Sequence, residues 1–423
     1  MGEPKVYGLT AKLMLPSWAS YPMAIKVGDP PLRGVRVLDL SRVLAGPFCS
    51  MTLSDLGAEV IKVEIPGTGD DTRTFPPFIG GESSYFMSVN RGKKSVTLNL
   101  KEGAAREALY RIAAKCDVFL ENYRPGVTER LGIDYAALRK LNPRLIYCSI
   151  SSFGQTGPYN QWPGYDIVVQ GMGGLMGLTG EPGRPPVRVG MAVTDIGAGM
   201  YAVIGILAAL RAREATGEGQ YIDVSMLDGS VSWMTYASGN YFATGMNPPR
   251  MGSAHPSIVP YQGFETGDGK HILIACGNDR LWEMMCSAMG LQRMKGDPRF
   301  KSNELRVTNR GILIPQLEAE FLKKPRDEWM AALQGVGFPC APVYLLDELF
   351  SDPQVIERGM LREVDHPAAG RIKQVGPVLK MSGTPCVMGD APPTLGQHTD
   401  RVLMELAGYS GDEIRVLREK GAI

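Results

Sequence analysis

Between residues 34 and 151 the chain alternates short apolar runs with helical segments, and that alternation limits the folds open to it. Gly34-Val-Arg-Val-Leu-Asp-Leu40 reads as a strand, Phe48 to Leu56 as a helix after the break at Ala45-Gly46-Pro47, and Ala58-Glu-Val-Ile-Lys-Val-Glu64 as the next strand. Strands joined through a helix cross over and lie parallel, so the segment predicts a βαβ unit. Strands at 95–100, 117–121 and 145–151, with helices at 103–115 and about 134–140, extend the pattern. The expectation is an α/β fold with a Rossmann-like parallel sheet. A strand ending in Glu64 invites a nicotinamide reading, but the glycine fingerprint that should precede it is missing: only Gly46 follows the first strand.

The second organising stretch is residues 188–211. Asp195 stands between an extended segment and a run, Ile196 to Leu210, that contains no charge. This predicts a buried helix with Asp195 at its mouth. An Asp in that place is a standard N-cap, accepting orphan backbone N–H groups. It also puts an ionised carboxylate beside Gly197 and Gly199, where small residues admit a ligand to the backbone. The residues alone leave both readings open. The apolar run is too short for a membrane span.

Elsewhere the chain reads in segments. Four basic residues, Arg91, Lys93, Lys94 and Lys101, surround the strand at 95–100. They mark either a solvated turn or a phosphate-binding surface. Asn122-Tyr-Arg-Pro-Gly126 follows the strand at 117–121 directly, so this turn and the loop at 151–166 are candidate pocket walls at the carboxyl edge of the sheet. Residues 243–265 read as a loop-rich connector, and a strand at 270–276 with helices at 279–289, 311–323 and 326–335 makes a smaller α+β unit. From about 342 the connections are Pro-rich, and helical segments at 399–406 and 412–420 return to the first domain. The expected division is an N-terminal extension at 1–31, a large domain begun by 32–225, a linker and small domain at 226–345, and a returning part at 346–423.

A net charge of +1 argues against a dedicated nucleic-acid or membrane-surface binder. Seven scattered cysteines, without a Cys-x-x-Cys pair, fit reduced intracellular thiols. Residues 1–31 lack arginine and carry Glu3 and Asp29, unlike a typical transit peptide. The expected location is intracellular, in the cytoplasm or the mitochondrial matrix.

Several blocks taken together resemble the class III CoA-transferase family: Val37-Leu-Asp-Leu-Ser-Arg-Val-Leu-Ala-Gly-Pro47, Leu56 to Glu64, Glu121-Asn-Tyr-Arg-Pro-Gly126 and Gly164-Tyr-Asp166. Asp195 with its glycines, Thr216-Gly-Glu-Gly-Gln220 and Leu395-Gly-Gln-His-Thr399 complete the set. The resemblance implies a Rossmann-like large domain built from both chain ends, a smaller domain, and an interlocked homodimer of two ring-like chains. It makes Asp195 the catalytic aspartate. It puts Leu44, Ala45, Leu98, Lys101, Asn122, Tyr123 and Arg130 at CoA contacts, with Lys101 and Arg130 as phosphate partners. Ile65 stands where the formyl-CoA member has an arginine.

The subgroup most similar handles dicarboxylates, on the strength of Ala254-His-Pro-Ser-Ile-Val-Pro-Tyr-Gln262 and Gly69-Asp-Asp-Thr-Arg73. Its implied chemistry moves CoA from an acyl-CoA such as succinyl-CoA to glutarate, hydroxymethylglutarate or itaconate, through an aspartyl-CoA thioester. The segment at 252–262 does not reproduce the glycine-rich loop of the formyl-CoA member, which counts against oxalate and formate. CoA thioesters enter as substrates, and the chemistry calls for no metal or prosthetic group. His255 and Arg73 are candidates to hold an acceptor carboxylate, and Tyr165 faces the substrate. Asp166 and Asp228 read as structural caps. The rival enzyme is a 2-methylacyl-CoA racemase, which pairs the aspartate with a histidine where this chain has Tyr165; a phenol is a poor proton carrier near neutrality. A silent CoA-binding protein is the rival outside enzymes.

Overall fold

A computed structural model describes residues 25–423; most of the expected extension at 1–31 lies outside them. Six strands form the central sheet: β1 (Arg36–Asp39), β2 (Glu59–Glu64), β3 (Lys93–Thr97), β4 (Val118–Glu121), β5 (Ile146–Ser151) and β6 (Tyr221–Ser225). Every pairing is parallel, in the order β3-β2-β1-β4-β5-β6. This is the doubly wound Rossmann order, which reverses direction between β1 and β4.

Each face of the sheet is covered. On one face, α1 (Ala45–Asp55) packs with the long helix α4 (Val193–Thr216), burying Cys49, Leu53, Ala198, Ala202 and Ile206 against Val37, Val118 and Ile146. On the other, α2 (Gly103–Ala113) buries Ala105, Leu109 and Ile112 against Phe119 and Tyr147, together with Val402, Leu403, Ile414 and Leu417 from the chain end. The chain end also closes the β3 edge. His398 donates its backbone N–H to the Ser95 carbonyl at 2.9 Å, and Thr399 Oγ1 accepts from Thr97 N–H at 3.0 Å.

Residues 259–338 enclose a separate core around Phe264, Trp282, Leu313, Phe321 and Leu333. Its antiparallel sheet pairs β7 (Tyr261–Glu265) with β8 (His271–Ala275), and β8 with β9 (Cys340–Pro342). β7 lies inside the segment read as connector. A hairpin, Leu361–His366 with Gly370–Val375, lies in the stretch read as Pro-rich connection. These strands are short, with only one or two buried positions each, and polar residues break the apolar rhythm that would reveal them.

α4 departs from expectation in three ways. It begins at Val193 after Ala192, so Asp195 is a first-turn residue and not the N-cap. It runs 24 residues, long and apolar enough to cross a membrane by length and composition alone, although the uncharged run looked too short. Its packing on α1 and the sheet makes it a core helix of this fold. It is also not buried all round: Met200 and Ile204 are 53% and 61% exposed in the single chain.

Candidate active site

The strands β1 and β4 diverge at the switch point, and the turns that leave them wall a cavity of about 180 Å³. From the β1 turn come Arg42, Val43, Leu44 and Ala45; from the β4 turn, Asn122, Tyr123 and Arg124. Phe153, Trp162 and Tyr165 close it on one side, and Asp195 reaches it from α4. A second cavity of about 820 Å³ shares Arg42, Tyr123, Arg124 and Tyr165 with the first and continues over Glu64, Ile65, Leu98, Lys101 and Leu131. The pair forms one cleft beyond the carboxyl ends of the strands, where open α/β sheets bind ligands.

The two turns hold each other. Asn122 Oδ1 accepts from Arg42 N–H at 2.8 Å, and Asn122 Nδ2 donates to the Arg42 carbonyl at 2.7 Å. The Arg42 guanidinium lies 5.6 Å from the Tyr123 ring centre and 3.3 Å from Asp71. Arg42, Val43 and Asp71 were not singled out in the sequence, although all three sit inside quoted motifs.

Asp195 is placed by a clasp from α3 (Asp166–Met172). Buried Asp166 accepts from Thr194 N–H at 2.9 Å and from the Thr194 hydroxyl at 2.8 Å, and Gln170 Nε2 donates to its other oxygen at 2.7 Å. Gln170 Oε1 in turn accepts from Val189 N–H at 2.8 Å. The cap of α4 is therefore Asp166, from another helix. Burial pushes the Asp195 carboxyl up, and the Asp166 carboxylate adds to it, to about 7. The expectation of a fully ionised group at neutral pH needs that correction. Tyr85, absent from the sequence reading, is close enough that burial and the charges of Asp195, Asp70 and Asp166 raise its phenol.

The glycines after Asp195 do not admit a ligand. A Cβ on Gly197 would overlap the Trp233 indole, and one on Gly199 would come within 2.7 Å of the Ala45 carbonyl. Both serve close packing, the first of Trp233 on α4 and the second of α4 on α1.

Of the residues singled out from sequence, Leu44, Ala45, Asn122, Tyr123, Tyr165 and Asp195 line the first cavity. Leu98 and Lys101 line the second. Arg130 is exposed and borders neither. His255 also lies outside both, between Tyr236 and Tyr261, with Nδ1 accepting from Ser257 N–H at 3.1 Å. Arg73 is committed elsewhere. Its fork donates to Glu64 at 2.7 and 2.8 Å, and its guanidinium stacks 3.6 Å from the Phe86 ring centre, so it is not free to hold a substrate carboxylate. The basic cluster resolves likewise. Arg91 pairs with Asp55 at 2.5 Å, Lys94 with Glu59 at 2.5 Å, and Lys93 is buried against Asp39 at 3.3 Å; none is a solvated turn residue or phosphate ligand. Asp228 is an exposed first-turn residue whose own N–H bonds to Ser225 Oγ at 3.1 Å.

Comparison with known proteins gives this geometry a lineage. The sequence model of CoA-transferase family III matches residues 32–399. The chain is 42% identical over 407 residues to the Homo sapiens protein "Succinyl-CoA:glutarate CoA-transferase", covering 96% of this chain and 93% of that one. It is 44% identical over 354 residues to "Acetyl-CoA:oxalate CoA-transferase" of Acetobacter aceti, covering 84% of this chain and 90% of the other. Among solved structures, a CaiB/BaiF family protein from Brucella suis superposes with a TM-score of 0.82 at 40% identity, over 89% of this chain and all (100%) of that one.

Proposed function

The chain belongs to CoA-transferase family III and is an enzyme of that class, and from that premise we propose that it carries CoA from succinyl-CoA to a second dicarboxylate through a covalent Asp195 intermediate. The observation that carries this reading is Asp195 itself: a carboxyl raised to about 7, on the wall of a small cavity that opens into a cleft large enough for a CoA-sized ligand.

A carboxylate needs no general base to act as a nucleophile, and a raised pKa makes its ionised form more basic. Asp195 attacks the donor thioester carbonyl, forming an O–C bond, and the C–S bond of the resulting tetrahedral adduct breaks, so that CoA leaves as thiolate and an aspartyl–acyl mixed anhydride remains. The thiolate then attacks the Asp195 carbonyl of that anhydride, releasing the donor as its carboxylate and leaving an aspartyl-CoA thioester. The acceptor carboxylate repeats both steps in reverse. Leu44 and Ala45, at the start of α1, form part of the same wall, and α1 has no side-chain cap. The positive end of that helix suits the oxyanions of each step. Leu98, Lys101, Asn122 and Tyr123 hold the CoA moiety along the cleft, and the small cavity limits water at the anhydride.

Two relatives, one named for glutarate and one for oxalate, support a diacid acceptor. Both are diacids, so the 252–262 segment is a weaker argument against oxalate than its sequence implied. Glutarate, hydroxymethylglutarate, itaconate and oxalate all belong in the acceptor panel. Racemisation is disfavoured because, among the described residues, no histidine lines either cavity and Tyr165 occupies the matching place. The exposed apolar face of α4, with Met200, Ile204 and Leu207, is the surface a second copy covers in the interlocked dimer that the family resemblance implies. CoA thioesters as substrates support an intracellular reading, in the cytoplasm or the mitochondrial matrix.

The test is turnover of succinyl-CoA by purified protein against that panel, followed by product mass spectrometry. Asp195→Ala is expected to lose at least about 10³-fold in kcat while still binding CoA thioester. Peptide mapping after borohydride or hydroxylamine trapping should place the adduct on Asp195. Turnover by Asp195→Ala at the wild-type rate sinks the mechanism, and α-proton exchange in deuterated buffer without transfer replaces it with racemisation.

A further inference from the structure

The turn that carries Arg42, Val43, Leu44 and Ala45 past the Asp195 cavity contains a strained residue. Val43 has φ of 66°, in the left-handed region that β-branched side chains avoid. Such conformations persist only where the surroundings over-determine them. Here they do. Asn122 holds Arg42 from both sides. Asp70 Oδ1 accepts from Val43 N–H at 3.2 Å. Lys62 Nζ donates to Asp70 Oδ2 at 2.9 Å and to the Ser41 carbonyl at 2.8 Å. Both side chains of this ion pair are fully buried, 0% exposed.

We propose that the buried Asp70–Lys62 pair is a positioning device for CoA transfer, holding Val43 in its left-handed conformation so that Leu44 and Ala45 stand on the wall of the Asp195 cavity. The inference rests on the transfer reading of Asp195. The pair stands away from the Asp195 cavity: Val43, Leu44 and Ala45 line that cavity, whereas Asp70 and Lys62 border only the adjoining larger part of the cleft, with both side chains buried. Each of its bonds ends on the turn or on a group that aims it. Thr72 N–H and its hydroxyl donate to Asp70 Oδ1 at 3.0 and 2.8 Å, and Asp70 N–H donates to Glu64 Oε2 at 3.0 Å, which fixes the carboxylate against β2. Burial pushes the Asp70 carboxyl up, but the Lys62 ammonium and these hydrogen bonds outweigh it and keep the group below the usual carboxylate range. The acceptor for Val43 N–H therefore stays charged across the working pH range. Without it, a valine relaxes toward negative φ and swings Leu44 and Ala45 away.

A pair that only stabilised the fold would affect activity equally whatever residue stood at position 43. A double-mutant cycle separates the two roles, because glycine adopts left-handed φ without steric cost. In otherwise wild-type protein, Asp70→Ala, which removes the acceptor for Val43 N–H, should lower kcat at least about tenfold, with KM for the acyl-CoA changed less than about threefold. In the Val43→Gly background the same replacement should cost less than about threefold. Equal losses in the two backgrounds overturn the proposal. Asp70→Ala strands a buried ammonium, which can prevent folding. The cycle is therefore also run with Lys62→Met/Asp70→Ala, which removes both charges and the acceptor, under the same criterion. Absence of transfer by the wild-type enzyme would sink the Asp195 reading; transfer without coupling to Val43 sinks only this one.

Discussion

Asp166 caps the helix that carries Asp195, accepting both the backbone N–H and the hydroxyl of Thr194, the residue immediately before it, at 2.9 and 2.8 Å. One carboxylate thus does two things. It fixes the first turn of α4, and its charge adds to the burial that raises Asp195 to about 7. A carboxyl positioned by the same group that tunes it is hard to alter in one respect alone.

Asp166→Asn separates the two. An amide oxygen can still accept from Thr194, but the charge is gone. If the ionised form of Asp195 is the nucleophile, kcat in the wild type rises with pH through about 7. In Asp166→Asn that acid limb should move to lower pH. Asp166→Ala also loses the cap, at about 1–2 kcal/mol of stability. The kcat–pH profile together with thermal melting checks both; an unmoved limb in Asp166→Asn counts against the charge coupling.

The fold lies close to the surface of the sequence, and the site lies deeper. Runs such as Val35–Leu40 and Ala58–Glu64 have to be strands, because little else buries so short an apolar segment, and their spacing forces crossovers. Asp195 shows itself because it is the last charge before Arg211. Asp166 reads as a cap in the sequence, but not as the cap of this helix, since it lies 28 residues before Thr194 and meets it only through the turn of a separate helix. Arg73 looked like a carboxylate ligand because a sequence does not show that Glu64, two strand positions beyond Lys62, already holds it. Val43 carries no sign of strain, because a left-handed turn usually announces itself with glycine or asparagine. The charges of the 91–94 turn were legible but their partners, Asp55, Asp39 and Glu59, come from other strands and helices.

Holding Asp195 at about 7 also has a cost in stability, and its sign is fixed. Between the ordinary Asp value of about 4 and about 7, the folded state keeps a proton that the unfolded chain has released. Stability is therefore present at low pH and drains as pH rises through that window, by roughly 4 kcal/mol at most. Asp195→Asn removes this burden. Its Tm should exceed that of the wild type at pH 8, and the difference should shrink at pH 4, where the wild-type group is protonated. A difference that stays constant with pH would show that Asp195 is not buried as described.

Arg73 is predicted to matter for folding before it matters for substrate. Its guanidinium satisfies buried Glu64 with two hydrogen bonds, donates to the Pro393 carbonyl at 3.2 Å, and covers Phe86. Arg73→Met leaves a buried carboxylate without its fork, a loss on the order of 3–5 kcal/mol. Urea unfolding should show it directly. Where the variant can be assayed, its KM for the dicarboxylate should stay within about threefold of wild type, as expected of a residue that does not touch substrate. A raised KM with unchanged stability would return Arg73 to the acceptor site.

Gly197 offers the sharpest check on how α4 presents Asp195. The indole of Trp233 lies where a side chain at position 197 would begin, and it is anchored there by its Nε1–H, which donates to the Tyr201 hydroxyl at 3.1 Å. Tyr201 and Trp233 stack with ring centres 6.5 Å apart, which holds the half-buried indole against α4. Gly197→Ala must therefore either displace Trp233 or shift α4, at about 1–3 kcal/mol. If Trp233 moves, its fluorescence changes and kcat stays near wild type. If α4 moves, Asp195 leaves its place on the cavity wall, and misplacement of a nucleophile by about 1 Å lowers kcat by about 100-fold. We expect the second outcome, because Ala replaces Gly in a helix interior at no backbone penalty, while the Trp233–Tyr201 lock resists. Pairing the substitution with Trp233→Leu, which empties the space, should then recover most of the lost turnover. Failure of that pair to recover it would mean that Gly197 is required by something other than Trp233.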